Sequence, residues 1–210
     1  MTGNGELRYV RFSERHCFER SRLATSCFAS LRPLCGEYPA FASWYGGLFN
    51  DRATLDPDRE MLLCMRGSQV AGVAILKYSE QKICTLRVSE QYRGNHIGTW
   101  LLAESCELLG TDRPLITVRS TRLNEYAGLF KRFGFKMEDR RYAYYSMLHS
   151  ECAFNGALDR RVPVIETIEF LRVAQALDDV ADAWRMYTAF PGNLERVGRG
   201  GIIVPSYAMR

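Results

Sequence analysis

No run of this chain is long and apolar enough to cross a bilayer, which takes roughly 20 consecutive apolar residues, so membrane spans are not expected. The first residues, MTGNGELRYVRF, lack the apolar core of a secretory signal. Cys-x-x-Cys pairs are also missing, and no His stands at metal spacing from a Cys. The 7 cysteines (17, 27, 35, 64, 84, 106 and 152) are odd in number and scattered. That pattern argues against a disulfide framework and a zinc site, and it fits reduced thiols in a cytoplasmic protein. There is no repeat, no low-complexity tract and no nucleic-acid-binding module. Charge of one sign is not in great excess: 28 Lys and Arg against 24 Asp and Glu leave +4, which permits an anionic ligand without demanding one. The basic clusters Arg15-Arg20-Arg22, Lys131-Arg132 and Arg140-Arg141 read as solvated surface.

The chain does have the means to bury a core. Its 210 residues are 47% hydrophobic, enough for one domain, residues 1–150, plus an extension, residues 151–210. Leu7 to Phe12 alternates and predicts a strand. Glu14 to Leu34 predicts a helix ending at Pro33 and Gly36, and the aromatic stretch from Tyr38 to Tyr45 starts another. Met61–Met65 and Val70–Tyr78 form a hairpin about Arg66-Gly67-Ser68-Gln69. Lys82–Val88 and Pro114–Val118 are strands, Leu123–Phe133 is a helix stopped by Gly134, and Phe135–Glu138 with Arg141–Leu148 are a last strand pair. Within 163–187, Phe170, Val173, Leu177, Val180, Trp184 and Tyr187 form one apolar helical stripe. That stripe either packs on the domain or supports a homodimer.

The richest segment runs from Cys84 to Leu109. Ile83, Leu86 and Val88 give a strand, Arg93-Gly94-Asn95-His96-Ile97-Gly98 a loop, and Ile97, Leu101, Ser105 and Leu108 a helix. A strand delivering such a loop onto a helix N-terminus aims free N–H groups and the positive end of the helix dipole at one spot, which suits a diphosphate. His96 belongs to the residue types that tolerate positive φ.

With Arg93 and Gly98 at the ends of the Arg/Gln-x-x-Gly-x-Gly/Ala pattern and a Gly134-Phe135 pair downstream, residues 6–149 resemble the Gcn5-related N-acetyltransferase (GNAT) superfamily. His96 departs from that pattern, replacing its middle glycine. The resemblance implies an α/β fold, a mixed and mostly antiparallel sheet flanked by helices on both faces, here with a C-terminal helical extension. It implies acetyl-CoA as acyl donor and no metal. The coenzyme would be held by Leu86, Val88, Arg93, Gly94, Asn95, His96, Ile97, Gly98, Thr99 and Asn124, in a slot between Leu86-Arg87-Val88 and Ile116-Thr117-Val118.

Acyl transfer to an amine needs a base, an acid for the departing thiolate and a donor for the thioester oxygen. The resemblance supplies the oxygen donor from backbone near Val88. Its usual Tyr falls on Phe130, which has no hydroxyl, so Tyr126, one helical turn earlier, is the candidate acid. Cys84 stands near the usual Glu and is a candidate nucleophile or a buried filler. The function expected is an acyl-CoA-dependent N-acyltransferase, most simply an acetyltransferase, acting on a small-molecule or protein amine. The alternatives are a degenerate CoA-binding sensor or assembly module, and a toxin-type aminoacyl-tRNA acetyltransferase. Nucleic acid is otherwise not indicated.

Overall fold

A computed structural model describes residues 6–38, 40–50, 53–142, 144–145 and 148–158. The expected stripe over 163–187 and the tail over 192–210, with any homodimer they form, lie outside the described residues. The chain divides into two compact units, residues 1–140 with 152–157, and residues 141–151 with 158–210.

Seven strands form one sheet: β1 Leu7–Arg11, β2 Arg59–Arg66, β3 Gln69–Lys77, β4 Lys82–Val88, β5 Leu115–Arg119, β6 Met137–Tyr142 and β7 Ser150–Phe154. Their order is β1-β2-β3-β4-β5-β7-β6. β1 to β4 pair antiparallel, and β4 meets β5 in parallel. The helices are α1 Cys17–Leu31, α2 Phe41–Gly46, α3 Ile97–Leu109 and α4 Leu123–Arg132. Alternation along the strands sorts the core into two layers. Met61, Leu63, Val73 and Ile75 face Cys27, Leu31, Phe41 and Tyr45 of α1 and α2. Leu62, Ala74, Ile83 and Leu86 face Ile97, Leu101, Leu102 and Phe130 of α3 and α4. Helices thus cover both faces of the first unit's sheet, the expected architecture. Among the described residues no helix is long and apolar enough to cross a membrane.

The first helix is shorter than the sequence suggests. It stops at Leu31, and Arg32–Gly36 continue as a tighter 3-10 turn with Pro33 in its first positions, where a missing N–H costs nothing. Tyr45 is a core residue whose hydroxyl donates to the Ala24 carbonyl at 2.9 Å. The last strand pair also starts later than expected, at Met137 and Ser150 rather than Phe135 and Arg141. A Schellman end to α4 is the reason. Gly134 takes φ +69°, its N–H reaches the Lys131 carbonyl, and the Phe135 N–H reaches that of Phe130. Phe135 is pulled down onto Phe130, with ring centroids 5.5 Å apart, and is used up closing the helix.

Gly72 on β3 sets how closely α3 approaches the sheet. A Cβ there would stand 2.6 Å from Ile97 Cγ2 and 3.0 Å from Leu101 Cδ1, both fully buried side chains. Gly72→Ala should therefore destabilise the protein by about 1–3 kcal/mol, the usual range for overpacking. The measurement is urea unfolding, with a lower midpoint expected at unchanged slope. An unshifted midpoint would show that the contact relaxes freely.

Candidate active site

The site is built where β4 and β5 part. They pair only at Lys82↔Leu115 and Ile83↔Ile116, although β4 continues to Val88 and β5 to Arg119. The divergence coincides with a bulge. The β3–β4 register steps from Leu76↔Ile83 to Ile75↔Thr85, leaving Cys84 opposite no residue, and such an extra residue bends and twists a strand away. Beyond it, the β5-facing edge of β4 has lost its ladder partner. The Tyr126 hydroxyl of α4 reaches that edge and donates to the Leu86 carbonyl at 2.7 Å. Residues two apart on a strand present the same edge, so the Val88 N–H points into the same opening.

At the far end of β4 the chain turns through Ser89 to His96 into α3. Gly94 takes φ +82° and His96 φ +58°, the left-handed turn that the pattern's middle glycine would supply. α3 opens on His96 without a side-chain cap, so its first N–H groups have no intrahelical acceptor. Asn95 Nδ2 donates to the Tyr92 carbonyl at 3.1 Å and holds the turn. Thr99 Oγ1 accepts from Arg132 Nη1 at 3.4 Å. Gly98 lies between β4 and α4, where a Cβ would meet Val88 Cγ2 at 3.6 Å and Leu129 Cδ2 at 3.7 Å, ordinary contacts. The Arg93 guanidinium is paired with Glu125 at 3.0 Å. Both partners are well exposed, so the pair is worth only about 0.2–1 kcal/mol and yields easily to a stronger anion. Asn124 is exposed at the start of α4. The loop, the helix mouth and the opened strand edge together can take an anionic head followed by an extended, amide-bearing arm.

Burial raises the Tyr126 phenol above its ordinary value, with Arg122 and Arg87 opposing and Glu125 and Glu37 adding to the rise. Tyr126 therefore stays protonated at neutral pH, a donor aimed into the slot. Phe130, at the position where the resemblance places a Tyr, is a core side chain between Tyr126, Phe135 and Phe154.

Cys84 sits at the bulge. Burial pushes its thiol up, only partly offset by Lys82 and by Arg59, whose Nη1 lies 3.2 Å from the sulfur. A raised thiol pKa disfavours the thiolate, the form that attacks and that binds metal. Among the described residues no group of three His, Cys, Asp or Glu side chains could hold a metal ion.

Three residues at this opening were not singled out by sequence pattern: Glu37 and Tyr38 before α2 and Arg119 ending β5. Arg87 was placed at the slot with Leu86 and Val88, and the signal for Arg119 was an arginine closing an apolar strand. Iodoacetamide at pH 8 should label exposed Cys17 and spare Cys84 until the protein is unfolded, because a raised thiol pKa delays ionisation beyond the free value of about 8.5. Peptide mass spectrometry reads the result. Rapid labelling of Cys84 in the folded protein would restore it as a nucleophile.

Residues 47–147 match the family model described as acetyltransferase (GNAT) domain. No curated protein matches the chain. Among solved structures, a GNAT-family protein from Desulfovibrio desulfuricans superposes with TM-score 0.53 at 14% identity, over 71% of this chain and 97% of that one. The ribosomal-protein-S18-alanine N-acetyltransferase of Escherichia coli gives 0.50 at 13% identity, over 71% and 92%. Nourseothricin acetyltransferase gives 0.42 at 18% identity, over 48% of this chain, which spans 65% of that enzyme's length. The segment that matches the GNAT acetyltransferase domain, residues 47–147, is the one that carries the Arg93–Gly98 loop, the parted strands and Tyr126.

Proposed function

We propose that the protein is an acetyl-CoA-dependent N-acetyltransferase that moves the acetyl group to an amine on a small molecule or protein. The observation that carries this reading is the opened edge of β4, lying between a helix mouth with uncapped N–H groups and a buried, protonated tyrosine. The choice of donor rests on the match of residues 47–147 to the acetyltransferase (GNAT) domain model.

In this reading Gly94 to Thr99 grip the diphosphate through backbone N–H groups, with Arg93 released from Glu125 to join them. Asn124 is close enough in sequence to Tyr126 to border the same arm. The pantetheine amides bond the Leu86 and Val88 edge of β4, in place of the missing strand. The Val88 N–H faces the thioester oxygen as negative charge develops there. The neutral amine attacks the carbonyl carbon, the C–S bond breaks, the proton lost by the nitrogen passes to water, and the Tyr126 hydroxyl stabilises the departing thiolate. Cys84 has no chemical step. Acyl chain length is set to acetyl as the simplest donor.

One observation favours a second reading, a coenzyme-binding module without turnover. The Tyr126 hydroxyl already occupies the Leu86 carbonyl, a group the coenzyme arm would use, and Phe130 brings no replacement hydroxyl.

Calorimetric titration with acetyl-CoA should show binding that survives Gly98→Ala and weakens at least tenfold in Gly98→Trp, since a methyl group there makes only ordinary contacts whereas a large side chain at the helix mouth competes with the coenzyme. Tyr126→Phe should lower kcat by about 10²-fold with coenzyme affinity unchanged, the lower end of the usual effect of a positioned proton donor. Undetectable acetyl-CoA binding refutes the proposal. Binding without turnover over a broad amine panel favours the module.

A further inference from the structure

On the face of the sheet that carries α1 and α2, β4 and β5 each bring an arginine toward the opening. Ile116, Val118 and Leu86 face α3 and α4, so strand alternation turns Thr85, Arg87, Thr117 and Arg119 to the other side. Arg119 stands three residues beyond the last paired position Ile83↔Ile116, as does Leu86, the residue that receives the Tyr126 hydroxyl.

Arg119 is only 9% exposed, and its guanidinium carbon lies 5.2 Å from the Tyr38 ring centroid. Among the described residues no carboxylate pairs with it. Of the acids at the opening, Glu37 pairs through Oε1 with Arg122 at 2.8 Å, and Glu125 pairs with Arg122 at 3.1 Å and with Arg93. Arg87, half-buried and close enough to act on the Tyr126 phenol, also has no ion pair among the described residues. A guanidinium cannot shed its proton to escape burial, and buried charges in proteins are almost always paired. The fully covered, unpartnered polar atoms among the described side chains are Arg15 Nε and Glu37 Oε2, so the nitrogens of Arg119 are not sealed. A guanidinium held against an aromatic ring, with no counter-ion among the described residues, is preorganised for a planar or tetrahedral oxyanion.

We propose that Arg119, assisted by Arg87, binds an anionic group of the acceptor, so that the amine acetylated belongs to a molecule that also carries a carboxylate or phosphate. The inference rests on the acetyltransferase reading of this site. The diphosphate of the coenzyme is assigned to the α3 loop, which leaves the two strand arginines for the second substrate.

The test uses the full chain with acetyl-CoA and matched acceptors: amino acids against their amides, and aminoalkyl phosphates against the corresponding amino alcohols. The expected result is a preference of at least tenfold in kcat/KM for the anion-bearing member of a pair, and whichever pair shows it tells carboxylate from phosphate. Arg119→Gln should erase the preference while acetyl-CoA affinity stays within twofold, and Arg119→Lys should keep part of it. Equal rates within every pair, or an Arg119→Gln loss shared equally by both members, overturns the proposal. A tenfold loss of acetyl-CoA affinity in Arg119→Gln also overturns it, because the anion would then be the coenzyme's. Should the wild-type protein bind no acetyl-CoA, the acetyltransferase reading fails, and the anion site is read separately by thermal unfolding. Acetate or inorganic phosphate raising the midpoint of the wild type but not of Arg119→Gln supports the site, and no difference between the two sinks it.

Discussion

A strand edge that loses its partner inside a sheet is the constraint on which this site depends. Backbone N–H and C=O groups buried without partners are costly, so a ladder broken at Ile83↔Ile116 must be satisfied by something other than β5. The bulge at Cys84 imposes the break, because an unopposed residue redirects β4 while β3 keeps its own pairing. In the described chain one freed carbonyl, that of Leu86, is met by Tyr126. The remaining edge is a template for an extended ligand with amides of its own, and the placement of α4 and of the α3 loop follows from serving that edge.

Electrostatics around the opening run as a chain of alternating charge. Arg93 is held by Glu125, Glu125 by Arg122, and Arg122 by Glu37, linking the loop after β4 to the segment before α2. The exposed end of the chain, at Arg93, is the weakest by solvent screening, and the end at Glu37 is the most buried. Two acids thus balance two arginines. Arg87 and Arg119 are left over, and the surplus positive charge lies on the face where a second substrate would lie. The modest net charge of the chain hides this local imbalance.

Comparing particular residues shows which signals a linear reading can carry. The strand–loop–helix from Ile83 to Leu109 was legible because strand alternation, a glycine-bearing turn and a 3.6-residue period are local patterns. His96 was legible for the same reason: tolerance of positive φ belongs to the residue type, and its φ is +58°. The last strand pair was misplaced because Phe135 looks like the first residue of a strand, whereas its N–H closes a helix three-dimensionally through Phe130. Cys84 looked like a thiol awaiting a base. Its environment, a half-buried bulge beside Arg59, comes from strands far apart in sequence.

The amino-acid sequence by itself determined most element types, the glycine-bearing loop that opens α3, and a GNAT-like fold, since each follows from short-range spacing and side-chain type. Only the tertiary structure decided where β4 and β5 separate, that Tyr126 reaches the Leu86 carbonyl across 40 residues of chain, and that Arg119 is buried against Tyr38 with no counter-ion among the described residues. Those properties are sums over partners brought together by packing, and burial, pairing and charge balance have no value until every partner is in place.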